Sequence, residues 1–586
     1  MVDLTATPFH LDEDAVAWVE ETIAGMSDEE KIGQLFVNMG SSRDPEYLKG
    51  VLDQFHIAAV RYNPGTADDV YEQNKVLQEN SKIPMLIAAN TEAGGNGACT
   101  DGTYVGWEVK IAATGDPELA YELGRISGIE ASAIGCNWSF APIVDINRNW
   151  RNPIISRRTW GGNADQVLEY SLEYMRGIRE SGIAPAAKHF PGDGIDERDQ
   201  HLSSAPNWLS IQNWDATFGK VYAGLIEAGL PSIMAGHIAL PAYQKHFNPA
   251  MQDDEILPAT LSRELLTDLL RGQLGFNGVI VTDASHMVGM TGVMARRDIL
   301  PTAIEAGCDL FLFFNDPEED FAWMMEGWKS GNLSDQRLHD ALRRTLGLKA
   351  MLGLHRKDKT EILPPKAEAM ARIATPEHRA VSARVADQGI TLVKNNQDAL
   401  PLSTDKYRRI LVVPIGGPPN PMATALHGGS QPADKVVALL RERGYEVTRY
   451  ETVLDKTKGK SEEEVAAVVM NAYAGKLPIS ALTDNYDLVL SVAQVDGLMQ
   501  PIERVYWPAT KGTYDIPWFV HEIPTIVVST ASPHLLPDIP QVKTYINCYD
   551  DKDVTLEALI DKLEGRSQFC GTPTTDVFGG LADTHC

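Results

Sequence analysis

Basic residues are scarce in this 586-residue chain: 52 Lys and Arg stand against 80 Asp and Glu, a formal charge of -28 with a pI near 4.9. Such a field repels phosphate backbones and anionic headgroups, which argues against nucleic-acid and membrane-surface partners. Cysteine is scarcer still, six residues without a C-x-x-C pair. That removes a disulfide framework and thiolate zinc or redox chemistry, and the thiols are expected to be reduced. No apolar run approaches the roughly 18 residues of a membrane-spanning helix. The opening MVDLTATPFHLDEDAVAWVEE lacks the basic-then-apolar pattern of a secretory signal, so the expected location is the cytoplasm. A G-x-S-x-G nucleophile elbow is missing as well. Gly416–Pro421 is glycine-rich, but its prolines fit no phosphate-cradling fingerprint, and it reads as a surface turn.

What the chain does have is ordinary globular composition, 44% hydrophobic and 23% charged, with 11 Trp and 18 Tyr available for flat, hydroxylated ligands. Short apolar runs at 35–39, 57–62, 85–89, 137–144, 184–188, 232–235, 279–282 and 309–314 alternate with helical patterns such as 116–134, 164–181, 214–228 and 262–274. Eight β-α units close a barrel, so residues 1–354 are predicted to be a (β/α)8 domain of TIM type. Residues 355–385, opening polar and basic with Pro364 and Pro365, read as a linker and connecting helix. Six further apolar runs, 391–393, 410–413, 446–450, 488–492, 525–528 and 544–547, predict that 386–586 form a smaller open α/β sandwich domain.

In such a barrel the carboxyl ends of the strands face the active site, so polar residues just after each run are the ones to collect. They are Asn90 and Glu92 after the third strand, Asp145 after the fourth, Lys188 and His189 at the fifth, His237 after the sixth and Asp283 after the seventh. An Asp delivered by the apolar run Val279–Thr282 suits a nucleophile, or a stabiliser of cationic charge; the competing assignment is a helix N-cap. Asp199 and His201 are two apart on a loop opened by Gly192 and Gly194. The carboxylate can therefore take the Nδ1 proton while Nε2 faces a leaving group, as a general acid/base requires. His189, Asp193, Asp199, His201 and Asp283 include metal-ligating types. Yet the place after the first strand, where metal-dependent barrel hydrolases carry His-x-His, holds Asn38-Met39-Gly40. No metal or cofactor is expected.

Together these segments resemble glycoside hydrolase family 3, in particular its bacterial β-N-acetylglucosaminidase branch. The matching stretches are Met26–Leu35, Asn137–Asp145, Asn152–Gly161, Lys188–Gly192 with Asp199–His201, Pro258–Asp283 and Gly389–Leu402. The resemblance implies a retaining, exo-acting enzyme on a β-linked amino sugar, with Asp283 as nucleophile and His201, oriented by Asp199, as acid/base. It also implies that Arg158 contacts the sugar, beside Asn90, Glu92, Lys188, His189 and His237. A neutral imidazole base repels an anionic acceptor less than a carboxylate would, so phosphate can stand in for water as the acceptor. The same residues are compatible with a β-glucosidase of the family and, less closely, with a non-catalytic sugar-binding protein, and the oligomeric state stays open. Three residues depart from the branch pattern: Asn90 stands for an Asp, Asp193 for a His, and Gln200 for Ser or Thr.

Overall fold

The computed structural model describes residues 2–417, 420–421, 431–507 and 513–586. The chain divides into two compact units, one of Met1–Val105, Pro117–Ile146 and Arg158–Val381, the other of Gly106–Asp116, Asn147–Arg157 and Ser382–Cys586.

The first unit carries eight parallel strands: β1 (Phe36–Gly40), β2 (Ala59–Tyr62), β3 (Leu86–Ala89), β4 (Trp138–Ser139), β5 (Ala184–Phe190), β6 (Ser232–Ala235), β7 (Val279–Thr282) and β8 (Phe311–Leu312). They neighbour one another in chain order, with β8 beside β1. Closure comes where Leu310 bridges Val281, the Thr282 N–H meets the Leu310 carbonyl at 3.0 Å, and the Leu312 N–H meets Thr282 Oγ1 at 2.9 Å. The expected TIM-like barrel is therefore present.

Two predicted strands are shorter than their apolar runs. The run 137–144 keeps only Trp138–Ser139 as regular strand, because Pro142 has no N–H to donate. Contact with β5 continues beyond it through Ala186 N–H to the Ala141 carbonyl (3.1 Å) and Lys188 N–H to the Pro142 carbonyl (3.2 Å). The run 309–314 keeps Phe311–Leu312. Two expected crossover helices also depart from the regular pattern, holding wide i→i+5 turns over Asp215–Gly219 and Glu264–Gln273.

Strand alternation sorts the barrel side chains. In register, Val37 pairs with Ala59 and Met39 with Arg61, while Phe36 stacks on Phe314 at 4.3 Å on the outer side. Arg61 thus shares the inner row with Met39 and Val37. The helix Ala164–Arg179 is capped by Asn163, whose side chain accepts from Asp165 N–H and Gln166 N–H. It packs closely on Glu118–Ala133, since a Cβ on Gly124 would stand 2.2 Å from the Tyr174 carbonyl oxygen.

The second unit holds β9 (Thr391–Asn395), β10 (Arg409–Gly416), β11 (Glu446–Arg449), β12 (Leu488–Gln494), β13 (Thr525–Ser529) and β14 (Thr544–Asn547), in the order β11-β10-β12-β13-β14-β9. All neighbours are parallel except β9, which is antiparallel to β14. Both sheet faces are covered: Val412, Leu490 and Val528 pack with Val436 and Leu559, while Leu411, Val413 and Val489 pack with Leu482 and Phe519. Of the segment Gly416–Pro421, predicted as a surface turn, Pro418 and Pro419 lie outside the described residues. Among the described residues no helix is long and apolar enough to cross a membrane.

Candidate active site

Strand ends of the first unit bring most of the collected residues together. β7 hands its carboxyl end to Asp283, whose N–H donates to the Ala235 carbonyl of β6 at 2.8 Å. The next helix starts only at Val288, so Asp283 is not its cap. Its Oδ1 accepts from Ala284 N–H at 2.7 Å, and His189 Nε2 stands 3.9 Å from Oδ2. Burial would raise the Asp283 pKa, but His189, His237 and His201 outweigh it and bring the group down to about 2. The carboxylate is ionised, and no guanidinium or ammonium forms an ion pair with it among the described residues.

The His201 loop leaves β5 through Phe190-Pro191-Gly192. Gly192 has φ +118°, and a Cβ there would stand 2.1 Å from Phe218, so no larger residue fits. Asp199 Oδ1 is 2.7 Å from His201 Nδ1 and also accepts the His201 N–H at 2.8 Å. That pairing holds the ring by Nδ1 and leaves Nε2 outward. The loop docks directly on the segment after Asp283: Val288 N–H donates to the His201 carbonyl at 3.1 Å and Gly289 N–H to the Gln200 carbonyl at 3.0 Å. Gln200 explains its own departure from the branch pattern, because Oε1 reaches the His237 N–H at 2.6 Å.

His189 is oriented from behind. Its Nδ1 lies 2.7 Å from Asp145 Oδ2, while Asp145 Oδ1 accepts the His189 and Asp193 N–H groups at 3.2 and 2.8 Å. His237 is fully engaged, with Nδ1 2.9 Å from Thr260 Oγ1 and Nε2 3.0 Å from the Ala284 carbonyl. Burial pulls its pKa to about 4, so the ring is neutral at ordinary pH and steadies the turn that carries Asp283.

Glu92 forms a second focus after β3. Thr91 is fixed by hydroxyl contacts to Tyr174 (2.8 Å) and Ser139 (2.7 Å). Glu92 then receives Arg158 through Nε (2.9 Å) and Nη2 (3.0 Å), and Lys188 Nζ at 2.6 Å. Burial opposes the Glu92 charge, but Arg158 and Lys188 outweigh it and hold the carboxyl well below its usual range. Burial likewise lowers Lys188, with Glu92 pulling the other way. Asn90 is half-buried after β3, on the inner row with Ala88, and its amide makes no side-chain hydrogen bond among the described residues.

Two groups lie outside the set that the strand ends suggest. Arg61, half-buried on the inner row, donates through Nη1 to Asn63 Oδ1 at 2.8 Å and forms no ion pair among the described residues. Glu92 and Arg61 nevertheless interact electrostatically. His286, exposed, stacks on Phe313 with centroids 6.4 Å apart and interacts with His201, Asp283 and Arg61. The sequence does carry a signal for Arg61, as a charged residue within an apolar strand at its neighbours' inward parity. No group of three or more His, Cys, Asp or Glu among the described residues could hold a metal.

Comparison with known proteins then decides the family. The model described as the glycosyl hydrolase family 3 N terminal domain matches residues 27–348. The chain belongs to glycosyl hydrolase family 3. As a family 3 glycoside hydrolase it acts on a carbohydrate, and the resemblance drawn from its motifs holds. A family 3 relative, the β-N-acetylglucosaminidase/β-glucosidase of Cellulomonas fimi, is 40% identical over 586 residues and covers 100% of both chains. The solved β-glucoside phosphorylase BglX superposes with a TM-score of 0.89 at 37% identity, covering 99% of each chain. A family 3 β-N-acetylglucosaminidase from Paenibacillus gives 0.76 at 25% identity, covering 94% of this chain and 99% of that one.

Proposed function

We propose that the chain is a retaining, exo-acting β-N-acetylglucosaminidase. Asp283 attacks the anomeric carbon while His201 Nε2–H protonates the glycosidic oxygen and the C–O bond breaks, giving a glycosyl ester and a free aglycone. His201, now neutral, takes a proton from water as the water oxygen displaces Asp283, and the sugar leaves with its configuration retained. Asp199 holds the imidazole by Nδ1 in both steps. The observation that carries this reading is the docking of the Asp199–His201 loop onto the segment after Asp283, with Asp283 buried, ionised and, among the described residues, unclaimed by any fixed cation. Glu92, Arg158, Lys188, Asn90 and His189 bind the sugar. His237, with both ring nitrogens occupied, is assigned to positioning rather than to sugar contact.

The Cellulomonas fimi relative's double name supports 2-hydroxy sugars as accepted donors beside N-acetylated ones. A second reading replaces water by inorganic phosphate. Arg61 favours it: a guanidinium on the inner row that forms no ion pair among the described residues attracts an oxyanion that a neutral base does not repel. The similarity to a β-glucoside phosphorylase points the same way. The test is a panel of aryl glycosides of GlcNAc and glucose, assayed with and without phosphate and read by mass. Free sugar under both conditions supports hydrolysis; a sugar 1-phosphate supports phosphorolysis; failure to cleave any of them rejects both. Six unpaired thiols support a reducing compartment, the cytoplasm.

A further inference from the structure

The turn that bears His201 is held to the rest of the first unit by few bonds. Within it the Leu202 and Ser203 N–H groups both donate to the Asp199 carbonyl at 3.0 Å. Among the described residues three hydrogen bonds lead out of residues 199–203, and Gln200 makes two of them. Its carbonyl accepts the Gly289 N–H at 3.0 Å, its side-chain Oε1 accepts the His237 N–H at 2.6 Å, and the third runs from the Val288 N–H to the His201 carbonyl. The Gln200 side chain is fully buried, and glycines on two neighbouring segments make room for it. A Cβ on Gly236 would stand 3.2 Å from Oε1 and 3.1 Å from His189 Cβ, and one on Gly289 would stand 2.7 Å from the Gln200 carbonyl oxygen and 3.0 Å from His237 Cβ. Nε2 finds no partner among the described residues. A buried amide donor left unmet is a cost. Methionine would fill a similar space without it, so what glutamine adds is the acceptor oxygen.

The residue that meets this oxygen gives it consequence. His237 is tied by Nε2 to the carbonyl of Ala284, the residue after Asp283, at 3.0 Å, and by its N–H to Gln200, the residue before His201. Two side chains therefore span from one reacting group's turn to the other's. We infer that Gln200 is a positioning residue: through His237 it latches the His201 turn at its working distance from Asp283 before a substrate arrives. The inference rests on the reading of His201 as acid/base and Asp283 as nucleophile. Asp199 sets how the imidazole is rotated, and Gln200 sets where the turn that carries it lies. Without the latch the fraction of molecules with His201 in place falls, and the step that needs its proton slows in proportion.

Two variants test it. Gln200→Met keeps the side chain's length and loses the acceptor, while Gln200→Ser carries a hydroxyl two carbons too short to reach His237; where the serine variant does not fold, the methionine variant decides. In single-turnover release of the aglycone, both should slow alkyl β-glycosides of GlcNAc by about 10- to 100-fold, and dinitrophenyl β-glycosides, which leave without a proton, by less than about threefold. Hydrogen exchange reads the latch apart from activity: peptides containing His237 and Val288–Gly289 should exchange about tenfold faster, while those of the β12–β13 ladder in the second unit keep the parent rate. Parent rates of Gln200→Met on alkyl glycosides overturn the inference, because the side chain then only fills space. Equal losses on both leaving groups, or unchanged exchange at His237 and Gly289, overturn it as well. If His201→Ala leaves alkyl glycosides at the parent rate, the reading of His201 as the acid falls and the inference with it; a loss there with none in Gln200→Met overturns the inference alone.

Discussion

Two buried carboxylates serve the two ends of β7 and keep opposite company. Near its start, Asp309 accepts the Ile280 N–H at 2.9 Å and is ringed by guanidinium groups: Arg271 at 2.7 Å, Arg344 at 3.4 Å, and Arg337 in direct contact. At its end, Asp283 has three imidazoles around it and one backbone hydrogen bond. Both are held ionised against burial, yet Asp309 is 0% exposed and Asp283 9%. Permanent cations that consume a carboxylate's lone pairs make a structural tie. Imidazole neighbours at longer range, with no fixed cation among the described residues, leave an oxygen of Asp283 unclaimed, as the proposed nucleophile requires. The same side chain is thus a rivet at one end of the strand and, in the proposed mechanism, the reagent at the other.

The sharpest way to break that contrast is to delete each carboxylate in turn. Asp283→Ala should cost on the order of 10⁴-fold or more in turnover while leaving the melting temperature within a few degrees of the parent. Asp309→Ala should do the reverse, removing about 3–5 kcal/mol of stability by stranding buried arginines, as read by denaturant unfolding. If Asp283→Ala unfolds the barrel, or Asp309→Ala folds normally, the contrast fails.

Next in size is the proposed acid. His201→Ala should slow glycosides with poor leaving groups by about 10²–10⁴-fold, and those with activated aryl leaving groups far less in the glycosylation step. Pre-steady-state release of the aglycone separates that step, and an equal loss on both classes contradicts the role. Asp199→Asn should follow the same leaving-group pattern more weakly, because it loosens the ring rather than removing it.

The smallest effect is thermodynamic. His237 has a folded-state pKa of about 4 against an ordinary 6.5, so between those values the unfolded chain binds the proton more readily. Stability from burying the neutral ring is present above about pH 6.5 and is lost as pH falls toward 4. Asp283, depressed from 3.8 to about 2, keeps its contribution through that window and loses it only below. Urea titrations between pH 7 and 4.5 should show a shallower loss of stability in His237→Gln than in the parent; equal slopes would contradict the assignment.

Much of this architecture is legible in the sequence because short β-branched runs between amphipathic helices have few foldable interpretations. Val279–Thr282 and Ser232–Ala235 form strands with the predicted limits. What the runs conceal is where pairing stops. Pro142 ends the regular ladder of β4 although the chain continues alongside β5, and the helix after Ser262 winds with i→i+5 bonds that no hydrophobic period reports. At the site, the Asp199–His201 spacing anticipates a bond that local geometry alone can make. The engagement of His237 by Thr260 and Ala284 depends on contacts 23 and 47 residues away, which spacing cannot supply. Arg61 is hard to read from sequence for a different reason, since one charge inside an apolar strand is easily taken as facing solvent.

The central claim is that Asp283 is the nucleophile, and a 2-deoxy-2-fluoro β-glycoside with an activated leaving group addresses it directly. Peptide mapping of the inactivated enzyme should find one fluorosugar, esterified within the peptide that contains Asp283 and absent from Asp283→Ala. An adduct on another carboxylate, or turnover without any adduct and with inverted product, would contradict it.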